Sequence, residues 1–411
     1  MEKRLSRLVP LLAMVASACA TVPAEPPPAH GNYAWATFDS RGITRSGAAG
    51  LADRSAGRAL TIDDPVRIAS ITKLHVALGV MRLVEQGRLD LDEDVSGHLG
   101  WTLRNPNFPD RPITLRLLLS HRSSLRDDVS YALPLDTTVQ KAVAAPEAWD
   151  REHPPGSFFR YSNLGFPVVA SIMENATGER FDRLMDRLVL KPLALEACFN
   201  WTTCSDATLA RATVLYAPDG TVVRDDLKGV RPACPVVSAA DGGCDLSAYR
   251  LGANGALFSP QGGLRISVRD LARVGAMLLR KGRLADGRLF LRESSLAEME
   301  RLHWRFDGAN GDTEGSFYCG YGLAMQLLAR CAPKDDPFGD GKPRLGHAGD
   351  AYGLRSGLWI DPATGRGIAY FATGLGDDPP RGRSSYRAIE EWLAAQYAHW
   401  AYRDRRGNRH R

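Results

Sequence analysis

Apolar and polar positions alternate across residues 32–46, which predicts two short strands, 33–38 and 42–44, turning at Asp39-Ser40-Arg41. A loop to about Ile68 follows. From Ser70 to about Gln86 the spacing becomes helical, with Leu74, Leu78, Met81 and Glu85 in register and Gly87 as the stop. Further helices are predicted over 114–120, 164–177, 180–188, 268–279 and 294–302. Between them run connections rich in Gly, Asp and Pro. The longest covers 199–263, a length that in compact domains usually carries function. The last third returns to strands, with 353–360 and 367–373 flanking Asp361-Pro362-Ala363-Thr364-Gly365 as a hairpin. An amphipathic helix over about 385–402 then places Ile389, Trp392, Leu393 and Trp400 on or near one face. No internal repeat occurs.

Strands at both ends with helices between them predict a single mixed α/β (α+β) unit over 32–402. Its terminal segments would share an antiparallel sheet flanked by helices, and its middle would form a mostly helical lobe. A site in the cleft between the two is the natural expectation.

At 411 residues, 44% hydrophobic and 24% charged, the chain has an ordinary globular composition. Its net charge of +5 sits at the ends: the segment after Tyr402 contributes +4 and the first 18 residues +2, leaving −1 for 19–402. A nearly neutral body offers no footprint for nucleic acid. The Arg-rich segment 403–411 is expected to be a solvated, disordered tail.

Lys3, Arg4 and Arg7 precede an apolar run over 8–15 and the small residues Ala16-Ser17-Ala18, the pattern of an export signal over 1–18. Two processing routes fit. One is ordinary cleavage after Ala18. The other, favoured, is a lipobox in which Cys19 becomes the lipidated first residue, although Ala16 stands where Leu is commoner. The Pro-rich stretch 19–31 then suits a short extended tether between a lipid anchor and the domain. No other stretch approaches the roughly 18 apolar residues of a spanning helix. Periplasm or cell envelope is the expected location, with anchoring to the outer membrane.

Six cysteines remain, an even number that in an exported chain favours disulfides. They form three close couples, so the local pairs Cys198–Cys204, Cys234–Cys244 and Cys319–Cys331 are expected. With no CxxC pair and no HExxH, neither a metal nor another cofactor is expected.

Three short motifs carry chemistry. Ser70-Ile71-Thr72-Lys73 opens the first helix, where unpaired N–H groups favour developing negative charge. Lys73, three residues on, projects along the same face. To act as a base its pKa must fall from about 10.4 to near 7, through burial or a nearby cation. Tyr161-Ser162-Asn163 follows the turn Pro154-Pro155-Gly156 and aligns a phenol with an amide on one side of an extended segment. His347-Ala348-Gly349 precedes the C-terminal strands. Its ring and its glycine would let a substrate backbone lie along the strand. A second His-x-Gly, His98-Leu99-Gly100, reads as a helix-ending loop.

The order Ser-x-x-Lys, Tyr-x-Asn, His-x-Gly resembles the β-lactamase and penicillin-binding-protein superfamily of serine enzymes, in its class C β-lactamase, D,D-peptidase and esterase branch. The flanking blocks RIASITKLHVALGVMRLVEQGRLDLDEDV, ITLRLLLSHRSSL, PPGSFFRYSNLGF, LFSPQGGLRISVRDLARVGAMLL and GHAGDAYGLRSGLWIDPATG are similar to family blocks, and the resemblance covers about 60–375. It implies a β-lactamase/transpeptidase-like fold and an acyl-enzyme on Ser70, with proton transfers shared by Lys73 and Tyr161. It also implies an oxyanion hole from the backbone N–H groups of Ser70 and Asp350, with Asn163, His347 and Gly349 on the substrate side.

Two departures stand out. Relatives that hydrolyse β-lactams usually carry Lys-Thr-Gly as the third motif, and no Lys-x-Gly occurs in this chain. A neutral His347 offers a substrate carboxylate little attraction, so neutral acyl esters are expected to be preferred over β-lactams, unless Arg355 supplies the charge. In HRSSL, Ser124 stands where relatives often have Gly. The leading expectation is therefore an esterase or D,D-peptidase-like enzyme acting on a small-molecule or envelope-polymer acyl substrate. The alternatives are a weak β-lactamase and a non-catalytic penicillin-, peptidoglycan- or glycan-binding envelope protein.

Overall fold

A computed structural model describes residues 32–407, with side chains to 397, so the expected signal, Cys19 and the tether lie outside the described residues. In chain order its main elements are β1 (Asn32–Asp39), β2 (Gly42–Ala49), β3 (Val66–Arg67), α1 (Ile71–Glu85), α2 (Leu115–Leu119), α3 (Gly165–Thr177), β4 (Cys198–Phe199), β5 (Leu264–Ile266), α4 (Val268–Leu279), β6 (Trp304–Arg305), β7 (Gly320–Tyr321), β8 (Gln326–Leu327), β9 (Leu345–Ala351), β10 (Leu354–Asp361), β11 (Arg366–Thr373) and α5 (Ala388–Gly407). Eight strands form one sheet in the order β6-β7-β8-β9-β10-β11-β1-β2, every neighbour antiparallel. The two ends of the chain therefore close the same sheet, as expected, with Asn32 opposite Thr373 and Asp39 opposite Arg366.

Alternation along these strands explains why both faces are covered. Ala34, Ala36 and Phe38 of β1 and Ala369 and Phe371 of β11 join the main core. Their neighbours Trp35, Ile368, Tyr370 and Ala372 pack with Ile389, Leu393 and Tyr397 of α5 on the other face. On the core side α4 lies close against the sheet. A Cβ added at Gly275 of α4 or Gly367 of β11 would come within 2.1 or 2.3 Å of the Phe38 ring, so both must be glycine.

Helix α1 departs from the predicted amphipathic pattern, since twelve of its fifteen residues are buried, Lys73 and His75 included. A helix apolar on every side belongs in the centre of a protein, and α1 runs between the sheet and the helical lobe. The helix expected over 180–188 is Phe181–Met185 continuing as a π turn to Leu190. The loop before Ile68 contains a small pair, Leu51–Asp53 with Arg58–Ala59, too short to leave a periodic signal. Helix α5 runs five residues past its predicted end at Tyr402, because residues 403–406 contain no breaker before Gly407; the rest of the expected tail, 408–411, lies outside the described residues.

The connection 199–263 is largely irregular, with a short helix at Asp206–Ala210 and a strand pair at Leu215–Tyr216 and Val222–Arg224. The disulfides are the three expected local pairs, Cys198–Cys204, Cys234–Cys244 and Cys319–Cys331. Ser124 has φ 63°, a left-handed conformation that favours glycine; here the serine Oγ accepts a hydrogen bond from Asn105 Nδ2 at 3.0 Å. Among the described residues no helix is long and apolar enough to cross a membrane.

Candidate active site

Ser70 is the N-cap of α1, but its side chain makes no capping bond, which leaves Oγ free for other work. The residue before it, Ala69, has φ 50°, a strained conformation for a side chain with a Cβ and one that recurs at functional sites. Lys73 is fully buried one turn along. Its Nζ lies 3.1 Å from Ser70 Oγ, 2.8 Å from Asn163 Oδ1 and 2.8 Å from the Gln261 carbonyl. This arrangement serves both protonation states. An ammonium donates to all three oxygens. A neutral amine donates to the two fixed acceptors and turns its lone pair to the Ser70 hydroxyl, which then donates. Burial lowers the Lys73 pKa to about 7, against the opposing pull of Asp127 and Glu314.

The Tyr-x-Asn segment is held by Asp127, which the sequence reading missed. Its carboxylate accepts from Ser162 Oγ (3.0 Å), Asn163 N (2.8 Å), Asn163 Nδ2 (2.9 Å) and Leu164 N (2.9 Å). These bonds fix the Asn163 amide with Oδ1 towards Lys73. The Tyr161 ring stands 4.8 Å from Lys73 Nζ and stacks on Tyr318. Its hydroxyl is buried between Ser70 and Tyr318 with no well-formed hydrogen bond among the described residues, and burial keeps the phenol protonated. Lys73 is therefore the better resting base, and Tyr161 can relay a proton.

His347 requires a correction. It was expected to face the substrate, but it is buried behind the cavity wall and both ring nitrogens are taken. Nδ1–H donates to the Ala348 carbonyl (2.5 Å), and Nε2 accepts from Tyr321 Oη (2.7 Å). Tyr321 Oη in turn accepts from His121 Nε2–H (3.2 Å), whose Nδ1 accepts from Ser162 N–H (3.1 Å). Because the Ser162 amide can only donate and the Ala348 carbonyl can only accept, both tautomers follow. Both rings are neutral: burial, with Lys73 nearby, lowers the His347 pKa to about 3 and holds His121 far below its usual range.

Ala348, Gly349 and Asp350 of β9 do line the cavity with Ser70, Tyr161 and Asn163. Gly349 also serves a purpose beyond the one expected. A Cβ there would meet Ser356 Oγ at 2.3 Å and the Ile68 carbonyl at 2.4 Å, so glycine lets β9 press against the segment leading to Ser70. The β9–β10 turn has Tyr352 at φ 56° and Gly353 at φ 68°, a two-residue hairpin loop. Its ladder then leaves the Asp350 N–H turned away from β10, while β8 pairs only with Leu345 and Gly346. The Asp350 N–H is thus left free of the sheet ladder in a residue that lines the same cavity as Ser70.

The cavity, about 620 Å³, is closed along its sides by Gln261, Gly262, Tyr131 and Tyr318, with Glu314 at its exposed mouth. Although the side chain reaches solvent, partial desolvation against the cavity wall and the acidic neighbours Asp312, Asp127 and Asp350 raise the Glu314 pKa to about 7. Arg355 lines the cavity but is committed to Asp350 and the Leu354 carbonyl. Among the described residues no cluster of His, Cys, Asp and Glu could hold a metal ion. Gln261 and His121 lie inside sequence blocks singled out for their resemblance, yet nothing in the sequence alone showed what either touches.

Fold and site together bring a Ser-x-x-Lys pair, a Tyr-x-Asn segment and the third-motif strand to one cavity. The chain belongs to the Beta-lactamase family, whose profile matches residues 29–391. It is 34% identical over 170 residues to esterase EstB of Burkholderia gladioli, a match covering 37% of this chain and 42% of EstB. Against protein flp of Staphylococcus aureus the match is 30% over 132 residues and covers 26% of that protein. The chain thus spans less than half the length of these curated relatives. Among solved structures it is similar to the D-amino acid amidase of Ochrobactrum anthropi SV3, with a TM-score of 0.62 and 22% identity over 90% of this chain and 94% of that one. EstCE1, described as a hydrolase with promiscuous acyltransferase activity, gives 0.64 and 23% over 89% and 93%. These structural likenesses establish the fold.

Proposed function

We propose that the chain is an exported acyl hydrolase that works through an acyl-enzyme on Ser70 and takes esters or D-amino-acid amides at the cell envelope. The observation that carries this reading is the Lys73 amine, 3.1 Å from Ser70 Oγ, held by two fixed acceptors with its pKa near 7. Neutral Lys73 takes the Ser70 proton as Oγ attacks the acyl carbonyl. The N–H groups of Ser70 and Asp350 meet the oxyanion, a contribution of roughly 3 kcal/mol per donor in comparable sites. On collapse the C–O or C–N bond to the leaving group breaks, and the proton passes from Lys73 through Tyr161 to that group. Water then attacks the acyl-enzyme by the reverse proton route, freeing Ser70 and the acid.

The likeness to esterase EstB and to the D-amino acid amidase supports ester and amide substrates. The basic-apolar start of the chain and its three disulfides support export, and Cys19 supports a lipid anchor. Profiling wild type and Ser70→Ala on short acyl esters, D-aminoacyl amides, D-Ala-D-Ala peptides and a chromogenic cephalosporin tests the reading. Turnover of an ester or amide that vanishes in Ser70→Ala is expected. Turnover that survives in Ser70→Ala overturns it.

A further inference from the structure

The third motif in this chain presents no cation to the cavity, because His347 is buried and neutral and Arg355 is paired with Asp350. A different cation does face it. Arg67, on β3 three residues before the nucleophile, lines the cavity together with Gly262 and Tyr352. Of its five N–H donors, one makes a long bond, 3.3 Å to the Gly262 carbonyl. Nε is fully buried with no partner among the described residues. A guanidinium left this unsatisfied is unusual, since buried polar groups are nearly always bonded and a guanidinium is a strong fork-shaped donor to carboxylates.

Asp225 offsets part of the Arg67 charge without a hydrogen bond, since Asp225 Oδ2 makes none among the described residues. The carboxylate that acts on it is Asp225, whose Oδ1 accepts from Arg265 at 2.9 Å and from Trp201 Nε1 at 2.8 Å. The half-buried Arg67 and the buried Arg265 therefore share one carboxylate, which is hydrogen-bonded to Arg265 alone of the two. Arg224 adds a further positive charge across Tyr352, whose ring lies 5.2 Å from Arg67 and 5.0 Å from Arg224. Burial, with Arg265 nearby, pushes the Arg67 pKa down to about 10, which still leaves it charged at neutral pH. The position suits an anion arriving from the cavity.

We propose that Arg67 is the anion anchor of this cavity and that the preferred substrates are acyl compounds carrying a carboxylate. This rests on the acyl-hydrolase reading above. It changes what that reading implies for selectivity: a carboxylate is recognised from the β3 side of the nucleophile, rather than from the third-motif strand where a family lysine would hold a β-lactam. Neutral esters are then basal substrates rather than preferred ones.

The test uses two matched pairs, p-nitrophenyl butyrate against mono-p-nitrophenyl glutarate, and the acetyl ester of methyl 3-hydroxybenzoate against that of 3-hydroxybenzoate. They place the carboxylate on the acyl side and on the leaving-group side respectively. In wild type one pair should show a higher kcat/KM for its charged member. In Arg67→Met the charged-to-neutral ratio for that pair should fall by about 10- to 100-fold, the scale of one charge-assisted hydrogen bond, mainly through KM. Arg67→Lys should retain part of the ratio. Arg381→Met, which removes a charge from the exposed cavity rim, should leave the ratio within about 2-fold, as expected where water and salt screen a charge. A ratio unchanged in Arg67→Met for both pairs, or equal in Arg67→Met and Arg381→Met, overturns the proposal. If wild type hydrolyses none of these esters, the hydrolase reading is what fails. The anchor is then read by calorimetry of glutarate against dimethyl glutarate on Ser70→Ala protein, with and without Arg67→Met. Equal heats for the diacid in both proteins would overturn it.

Discussion

Tyr321 Oη donates a 2.7 Å hydrogen bond to His347 Nε2, and that bond turns a residue expected to greet the substrate into part of the wall behind it. The chain of hydrogen bonds runs from the backbone of the second motif (Ser162 N–H) through His121 and Tyr321 to the backbone of the third (Ala348 carbonyl). Both catalytic segments are thus tied together by neutral side chains in a region where an unpaired polar atom is expensive. The rings also pack edge to face, Tyr321 against His121 at 5.0 Å and against His347 at 6.0 Å.

Tyr321→Phe tests that link. It keeps the ring but strands a buried acceptor on His347 and a buried donor on His121. A loss of about 1–3 kcal/mol of stability is expected, the cost of leaving buried polar groups unpaired. Turnover should fall through kcat more than KM, since no substrate contact is removed. A melting temperature equal to wild type in calorimetry would show that the chain does not hold the two motifs together.

The pH profile should report Lys73. Burial lowers its pKa to about 7, so the amine is neutral above that value and takes up a proton below it. Activity should therefore rise through an acid limb near pH 7 and stay high above it. Glu314 has a raised pKa in the same range, and Asp127 and the neutral His121 and His347 face the same region. Glu314→Gln separates the two candidates: a limb that persists belongs to Lys73, and one that disappears belongs to Glu314.

Ser70 should form a stoichiometric adduct with a fluorophosphonate, visible by intact mass and absent in Ser70→Ala. Lys73→Ala and Tyr161→Phe should each reduce turnover by at least about 10²-fold, the usual scale of lost general-base help. Wild-type rates in either variant with unchanged melting would remove that residue from the mechanism.

Much of this was legible in the sequence because it depends on short-range pattern. The Ser70–Lys73 pair needs only one helical turn, the three disulfides close local loops, and the terminal strands alternate with period two. What stayed hidden depends on contacts between distant segments. His347 looked like a substrate ligand because sequence places it near a strand but does not say which face it takes or that Tyr321 stands behind it. Arg67 is one residue in a block whose resemblance lies in its serine and lysine, and its lack of a carboxylate hydrogen bond shows only once Asp225 is seen bonded to Arg265. Asp127 was indistinguishable from its neighbour Asp128, which is exposed and pairs with Arg126.

That pair of aspartates supports the last prediction. Asp127 accepts four hydrogen bonds from the Tyr-x-Asn segment and, through its charge, favours protonated Lys73. Asp127→Asn is nearly isosteric but replaces one acceptor oxygen with a donor. Either the Leu164 N–H or the Asn163 backbone and amide N–H groups then lose their partner, at a cost of about 1–3 kcal/mol. A purely structural role would lower activity evenly at every pH. The electrostatic role adds a distinct signature. With the negative charge gone, the protonated form of Lys73 is less favoured, its pKa falls further, and the acid limb moves to lower pH. The expected outcome is therefore a lower plateau combined with a limb displaced towards acid. Asp128→Asn, which changes an exposed neighbour, should do neither. If Asp127→Asn lowers the plateau and leaves the limb where it was, Asp127 acts as a positioning residue for Asn163 alone.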